Sequence, residues 1–390
     1  MRKRRRKKTA HLPKQILILV MLALVVPASI NGLRYLGPLL GETGERVAMI
    51  AAAVNMPEEG LDMLRDRFQD DLYLEHLPDS QPAPEQSQIP FAHPTNPQEQ
   101  EPEQAPSAKT SPPTAASPNI PMAYRAAIIS ENFASTNSVM LVQHGAGSIK
   151  NESKLTNDEV AEILETPMGI VFENTGEPQV LIVHTHATEA FERYDSAYYD
   201  TRNNWRSLDN NENMVAVGKA MAQVLEENGI GVVHDATQHD YPSYNGSYER
   251  SAQTIQSYLD EYPSIKVVLD LHRDAMQREN DAIIKPVTSI DSKKAAQIMI
   301  IAAADDTGEL GVPNYRENLR FAAAFQSYMA SEYEDLTRPV YFAYRKYNMD
   351  LTTGSLLLEF GSNANTLEEA VYSATLAGEA LAELIYDYME

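Results

Sequence analysis

The stretch QVLIVHTHATEAF, residues 179–191, places an apolar run directly before two histidines and a carboxylate. A run of valine, leucine and isoleucine is typical of a strand buried on both faces of a parallel sheet. His184, His186 and Glu189 follow where that run ends, and open α/β sheets bind their ligands at such strand ends. Two histidines and a carboxylate are rarely buried together for packing alone, so the stretch predicts a functional site as well as a fold class.

Downstream of this stretch, amphipathic segments alternate with apolar runs. Apolar spacing predicts helices over 211–229, which ends at a glycine, and over 248–263, which ends at a proline. Strands are predicted over 230–236 and 265–272. This β-α-β-α-β order predicts an α/β fold, with a mainly parallel sheet and helices on both faces.

Histidines and carboxylates gather at three of the predicted strand ends. The first strand is followed by the residues named above. Asp270, His272, Arg273 and Asp274 lie at the end of the third predicted strand, and Glu359 lies at the end of the last. Two neutral imidazoles and one carboxylate form the ligand set of a catalytic zinc ion and leave a fourth position for water. A further carboxylate outside the metal can act as a general base. The chain has no cysteine, so any metal here must be held by nitrogen and oxygen.

The spacing alone leaves the ligand assignment open. His184 and Glu189 are five residues apart, which places them on a loop and excludes an HExxH helix. His186 is an alternative to His184, either as a ligand or as a residue that orients the ligands. Glu212 is an alternative to Glu189 as the carboxylate ligand. His234, after the second strand, is interpreted as a structural or groove residue.

Charge is distributed unevenly over the 390 residues. The net charge is −23, yet the first eight residues, MRKRRRKK, carry seven basic side chains, so the rest of the chain carries about −30. An acidic body argues against nucleic acid as the main partner. The uncharged segment QILILVMLALVVPASI, residues 15–30, follows the basic run. This pattern indicates a cleaved signal peptide or, as we favour, an uncleaved anchor with the remaining chain outside the cytoplasm.

Composition divides the chain into five segments. We predict a basic cytoplasmic tail over 1–14, a transmembrane anchor over 15–33 and a juxtamembrane helical segment over 34–76. Residues 77–120 are rich in Pro, Gln, Ser and Glu and predict a disordered linker. A catalytic domain is predicted over 121–390. The expected localisation is the cell membrane, as a single-pass protein.

Five separated motifs resemble those of a known family. They are VLIVHTHATEAF, VVHDATQHD, YNGSYERS, LDLHRDA and YNMDLTTGSLLLEFGSNANTLEEA. Their order and spacing over roughly residues 140–390 are similar to those of the stage II sporulation protein P family, whose fold resembles that of the zinc N-acetylmuramoyl-L-alanine amidases. Met349 departs from the family pattern, in which a glutamine precedes the Asp of this motif.

The resemblance implies roles for particular residues. His184, Glu189 and His272 would bind Zn²⁺, and Glu359 would be the general base. His186, Asp270, Arg273 and Asp274 would orient the ligands or line the substrate groove. The implied reaction is cleavage of the amide between the lactyl group of N-acetylmuramic acid and L-alanine in peptidoglycan, with a second activity on peptide cross-links. Implied partners are stage II sporulation proteins D and M, at the sporulation septum and during engulfment.

Two other functions compete with this interpretation. A different metal-dependent wall hydrolase, such as a sugar deacetylase, would release acetate and leave the stem peptides attached. A non-catalytic scaffold would bind the wall without changing it. Loss of Glu359 or of a ligand would favour the scaffold, and this chain keeps both.

Overall fold

The structure is a computed structural model that describes residues 119–134, 141–278 and 280–389. The predicted tail, anchor and juxtamembrane segment lie outside the described residues, as does nearly all of the predicted linker. Those segment boundaries stay predictions. The description that follows concerns the predicted catalytic domain.

The predicted membrane localisation requires correction. Across the described residues, none of the helices combines the length and the apolar character that a bilayer span requires. The predicted anchor, residues 15–33, lies outside the part of the chain that the structure describes. The prediction of a single-pass protein of the cell membrane is therefore contradicted and is withdrawn.

Strands form two sheets in the described part of the chain. In chain order they are β1 Arg125–Glu131, β2 Val142–His144, β3 Gly147–Asn151, β4 Val180–Val183, β5 Tyr198–Asp200, β6 Val232–His234, β7 Val267–Asp274, β8 Ile283–Ile290, β9 Lys293–Ala296, β10 Ile298–Ala303, β11 Val340–Ala343 and β12 Gly354–Ser362. The main sheet has the order β2-β3-β11-β10-β12-β7-β4-β6. The smaller sheet has the order β5-β1-β8-β9.

The described part of the chain contains five helices, α1 Asn157–Glu165, α2 Met214–Glu227, α3 Ser247–Glu261, α4 Tyr315–Glu332 and α5 Leu367–Asp387, and a 3-10 turn over Met122–Tyr124. Helices α2 and α3 lie where the apolar spacing predicts them. The C-cap of α2 is Asn228, and Gly229 follows with φ 71°, which a glycine adopts without a steric penalty. Thr366 and Glu369 form a capping box at the start of α5.

Most neighbours in the main sheet are parallel, which confirms the α/β class. The exceptions are β2 with β3 and β10 with β12, which pair antiparallel. The short connection over 344–353 explains the second exception. It is too short for the crossover of a dozen or more residues that a return in the same direction requires, so β12 runs opposite to β11 and β10.

Helices cover both faces of the main sheet, as predicted. Val180 and Ile182 of β4 belong to the large apolar core that includes residues of α2, α4 and α5. Leu181 and Val183 face the opposite side and pack with Ile255 of α3. Successive residues of β4 therefore alternate between two buried faces, and this alternation decides where the site residues point.

The smaller sheet is a feature that the sequence did not predict. β1 pairs in parallel with β8 and antiparallel with β5, and β8 forms a hairpin with β9. Lys285 of β8 is only 1% exposed, and its Nζ lies 3.0 Å from Oε1 of Glu369 in α5 and 2.9 Å from Oδ1 of Asp195. A buried lysine requires such partners, and this one ties the smaller sheet to the start of α5.

Candidate metal centre

Three adjacent strands bring the predicted site residues to one edge of the main sheet. β7 lies between β4 and β12 and pairs in parallel with both. Their carboxyl ends therefore lie together, with Val183 opposite Asp270 and His272 opposite Glu359. Residues in register on parallel strands point to the same face, so His272 and Glu359 share the face that α3 covers.

His186, Glu189 and His272 form a cluster whose donor atoms all lie within 4.8 Å of one another. Nδ1 of His186 is 3.8 Å from Oε1 of Glu189, and Nδ1 of His272 is 3.6 Å from Oε2 of the same carboxylate. Donor atoms that share one tetrahedral zinc ion are about 3.3 Å apart. The two separations to Glu189 exceed that value by about 0.5 Å or less, and no separation within the cluster is more than 4.8 Å.

Buried atoms without partners support a metal at this cluster. Nε2 of His186 and Oε2 of Glu359 are buried and have no hydrogen-bond partner among the described residues. Nε2 of His272 lies 2.9 Å from Oδ1 of Asp270, close enough for this carboxylate to orient the ring. Unsatisfied buried polar atoms are costly, and two imidazoles with one carboxylate are the donor set that zinc prefers. The residues present therefore fit the metal.

Burial and neighbouring charges alter the acidity of these groups. Burial lowers the pKa of His186 well below 6.5, and the cationic side chains of Arg206 and Arg273 add to that effect. Burial also disfavours the charged form of His272, but the Asp270 carboxylate outweighs it and the pKa rises to about 9. The carboxylates that favour a proton on His272 would equally favour a divalent cation. Burial, with the charge of Asp274, raises the pKa of Glu359 to about 8.

The predicted ligand His184 does not join the cluster, and this prediction is corrected. His184 continues the alternation of β4 and faces α2, where its Nε2 lies 2.9 Å from Nε2 of His234. Its Nδ1 lies 3.2 Å from the carbonyl oxygen of Leu271. Both ring nitrogens thus have partners on the face opposite to His272. A side chain at Gly218 of α2 would collide with this ring, because a Cβ atom there would lie 2.4 Å from Nε2.

His186 takes the place of His184 because β4 ends at Val183. The chain then turns, and the N–H of Glu189 donates to the carbonyl oxygen of His186 at 3.1 Å. This turn carries both side chains to the face of His272. Glu212, the alternative to Glu189, is exposed and lies 3.4 Å from Arg193, away from the cluster.

Two of the other predicted residues, Arg273 and Asp270, lie around the cluster and support it by hydrogen bonds and charge. The backbone N–H of Arg273 donates to Oε2 of Glu189 at 3.1 Å, and Nε donates to the carbonyl oxygen of Ala190 at 3.0 Å. Asp270 accepts from the Thr185 hydroxyl at 2.6 Å and from its backbone N–H at 2.8 Å. Asp274 does not touch the cluster.

Asp274 pairs instead with a residue that sequence reasoning missed. Nη1 of Arg338 donates to Oδ2 of Asp274 at 2.8 Å, beside Glu359. Tyr248, also missed, stacks on the imidazole of His272 and meets that of His186 edge-on. The motif YNGSYERS, which contains Tyr248, could have indicated this residue from the sequence. No motif around Arg338 indicated that it belongs to the site.

The chain matches a known family over most of its length. A family model described as stage II sporulation protein P matches residues 86–385. The stage II sporulation protein P of Bacillus subtilis (strain 168) is 26% identical over 227 residues, which cover 55% of this chain and 53% of that protein. The chain thus matches about half the length of this curated relative.

Solved structures of amidases match the chain with lower sequence identity than the curated relative does. The N-acetylmuramoyl-L-alanine amidase from Clostridium difficile 630 matches with 15% identity and a TM-score of 0.32, over 55% of this chain and 97% of that chain. AmiC2 of Nostoc punctiforme matches with 13% identity and a TM-score of 0.31, over 54% and 96%. TM-scores this low support no argument, so the assignment depends on the family model. That model covers more than half of the residues, and the chain belongs to the stage II sporulation protein P family.

Proposed function

We propose that the chain is a zinc-dependent peptidoglycan hydrolase, an N-acetylmuramoyl-L-alanine amidase. The bond cut is the amide between the lactyl group of N-acetylmuramic acid and L-alanine. The observation that carries the proposal is the cluster of His186, Glu189 and His272 beside the buried carboxyl group of Glu359. The family resemblance supports the choice of substrate.

His186, Glu189 and His272 would hold the metal, and three protein ligands would leave a fourth position for water or substrate. When bound, zinc supplies Lewis acidity, which lowers the pKa of water and polarises a carbonyl group. Asp270 orients His272, and Arg273 holds the loop of Glu189.

Glu359 is the proposed general base. The residue lies opposite His272 in the sheet, and its Oε2 is buried without a hydrogen-bond partner in the part of the chain that the structure describes. A pKa of about 8 lies near neutral pH, where a carboxylate can both accept a proton from water and return it to a leaving amine. A group of this kind serves both halves of amide hydrolysis.

Family membership supports a wider biological role as part of the same proposal. The substrate would be the septal wall during sporulation and engulfment, and the partners would be stage II sporulation proteins D and M. Cleavage of peptide cross-links is a second activity, which the same product analysis detects.

Zinc content and product release from the full chain test the proposal. We expect about one zinc ion per chain in the wild type and in Glu359→Gln, and none in His186→Ala or His272→Ala. The wild type should release new L-alanine amino termini from purified wall, and the three variants should not. His184→Gln is the matched control, because it alters a histidine two positions from His186 that faces α2, and it should keep its zinc.

Three results would contradict the proposal. A zinc-loaded wild type that releases no L-alanine amino termini excludes the amidase. Release of acetate with intact stem peptides would identify a deacetylase. Tight binding to a chemically unchanged wall would identify a scaffold.

A further inference from the structure

Two motifs that the proposed reaction does not use meet beside the metal centre. YNGSYERS supplies Tyr248 in the first turn of α3, and YNMD supplies Tyr347 and Asn348. The rings of Tyr248 and Tyr347 stack with their centroids 5.1 Å apart. Nδ2 of Asn348 donates to the carbonyl oxygen of Tyr248 and to Oγ of Ser251, both at 3.0 Å. These contacts fix the position of Tyr248.

The ring of Tyr248 contacts both proposed histidine ligands. It stands at 75° to His186 with centroids 5.4 Å apart, and lies at 9° to His272 at 6.4 Å. Tyr248 is half-buried, so part of the residue remains accessible to solvent. The phenol thus borders the cluster at a position that is not closed off from solvent.

The hydroxyl of Tyr248 has no hydrogen-bond partner among the residues that the structure describes. Tyrosines that serve only packing usually place this group on a protein acceptor. A tyrosine hydroxyl keeps its proton at neutral pH. The group is a neutral donor beside the proposed base.

We propose that the Tyr248 hydroxyl donates a hydrogen bond to the carbonyl oxygen of the scissile amide and to the oxyanion that this oxygen becomes. The inference depends on the proposed function. A fixed donor at the position where negative charge develops stabilises the transition state more than the ground state. Tyr248 would then be a catalytic residue with a role separate from that of Glu359.

The reaction balances without proton transfer from Tyr248. The oxygen of water bonds to the carbonyl carbon, the electron pair of the C=O bond moves to oxygen, and Glu359 accepts the proton that water loses. The C=O bond then reforms, the C–N bond breaks, and the leaving amine takes the proton from Glu359. Tyr248 keeps its proton and contributes only its hydrogen bond.

Tyr248→Phe keeps the stacked ring and removes only the hydroxyl. We expect kcat to fall about 100-fold in the zinc-loaded full chain, the loss typical of one oxyanion donor, with KM changed less than about threefold. Zinc content should match that of the wild type. Tyr347→Phe is the matched control, because it removes a hydroxyl from the neighbouring ring, and it should stay within about threefold of the wild type.

A binding measurement separates this inference from the proposed function. The probe is a phosphinate analogue in which tetrahedral phosphorus replaces the carbonyl carbon of the lactyl–alanine amide. We expect calorimetry to show a Kd for Tyr248→Phe that is about 100-fold weaker than for the wild type, with no such change in Tyr347→Phe. This comparison needs no turnover, so it tests Tyr248 even if another bond in the wall is the one cut.

The outcomes are distinct. Equal rates and equal Kd values for the wild type and Tyr248→Phe overturn the role of Tyr248 and leave the amidase standing. Equal losses in Tyr248→Phe and Tyr347→Phe also overturn it, because the effect would then belong to the stacked pair. A wild type that neither cuts the amide nor binds the analogue overturns both proposals.

Discussion

Asparagine in place of Asp270 should weaken metal binding without removing a ligand. Asp270 lies 2.9 Å from Nε2 of His272 and is fixed by two hydrogen bonds from Thr185. Asparagine has nearly the same shape, so the main change is the loss of a negative charge beside the imidazole. A carboxylate in this position orients a ligating histidine and raises its basicity.

The pKa of His272 sets the scale of the effect. Neighbouring carboxylates, chiefly Asp270, raise it from 6.5 to about 9, which corresponds to about 3 kcal/mol of preference for positive charge at this ring. Loss of such a partner typically weakens metal binding about 10- to 100-fold, or about 1.4–2.7 kcal/mol. We therefore expect the Kd of the full chain for zinc to rise by a factor in that range.

Competition with a fluorescent zinc chelator measures this Kd. Asp274→Asn is the matched control, because Asp274 also lies in β7 but pairs with Arg338 at 2.8 Å instead of His272. Its Kd should stay within about threefold of the wild type. A Kd for Asp270→Asn that is equally unchanged would refute the orienting role of Asp270, and an equal loss in both variants would refute its specificity.

Three further predictions concern stability. Gly218→Ala should lower the free energy of unfolding, measured in urea, by about 1–3 kcal/mol, because its Cβ would collide with His184. Gly169→Ala is the control and should not lower it, because the space around Gly169 is open. Equal urea midpoints for the two variants would contradict the prediction. Lys285→Met leaves a buried carboxylate of α5 without its cation and should cost about 3–5 kcal/mol in the same assay; an unchanged midpoint would show that the ion pair is dispensable. Burial lowers the pKa of His184 to about 3 and that of His234 to about 4. Between pH 6.5 and 4 the unfolded chain therefore binds protons that the folded chain does not, and stability should fall as the pH is lowered through this range. His234→Gln should reduce that slope by up to about 1.4 kcal/mol per pH unit, and an unchanged slope would contradict the assignment.

Apolar runs and helix ends predicted the main sheet because both follow local rules. The strands that became β4, β7 and β12 are nearly continuous apolar runs, and such runs indicate burial on both faces. The glycine at 229 placed the end of α2 equally well, because it directly follows the C-cap of that helix. These signals require no knowledge of distant residues.

Strand parity excludes His184 from the face of His272, but it does not select His186, because residues two apart in a strand face the same side. The pairing of Val183 with Asp270 puts these two residues on one face, so His184 lies on the other, away from His272. The sequence alone does not show which residues pair in register, nor that β4 ends at Val183. The same lack of long-range information explains why the smaller sheet was missed.

The parallel pairing of β1 with β8 has a consequence for synthesis of the chain. Ile128 pairs with Ile283, which is made 155 residues later. At about 5–20 residues per second, the edge of β1 that β8 covers stays open for roughly 8–30 s, although β5 can pair with the other edge earlier. The strand RAAIISE carries a charge at each end, and charges that flank an apolar strand discourage pairing with other nascent chains. Arg125 and Glu131 thus flank the strand while the edge meant for β8 is open.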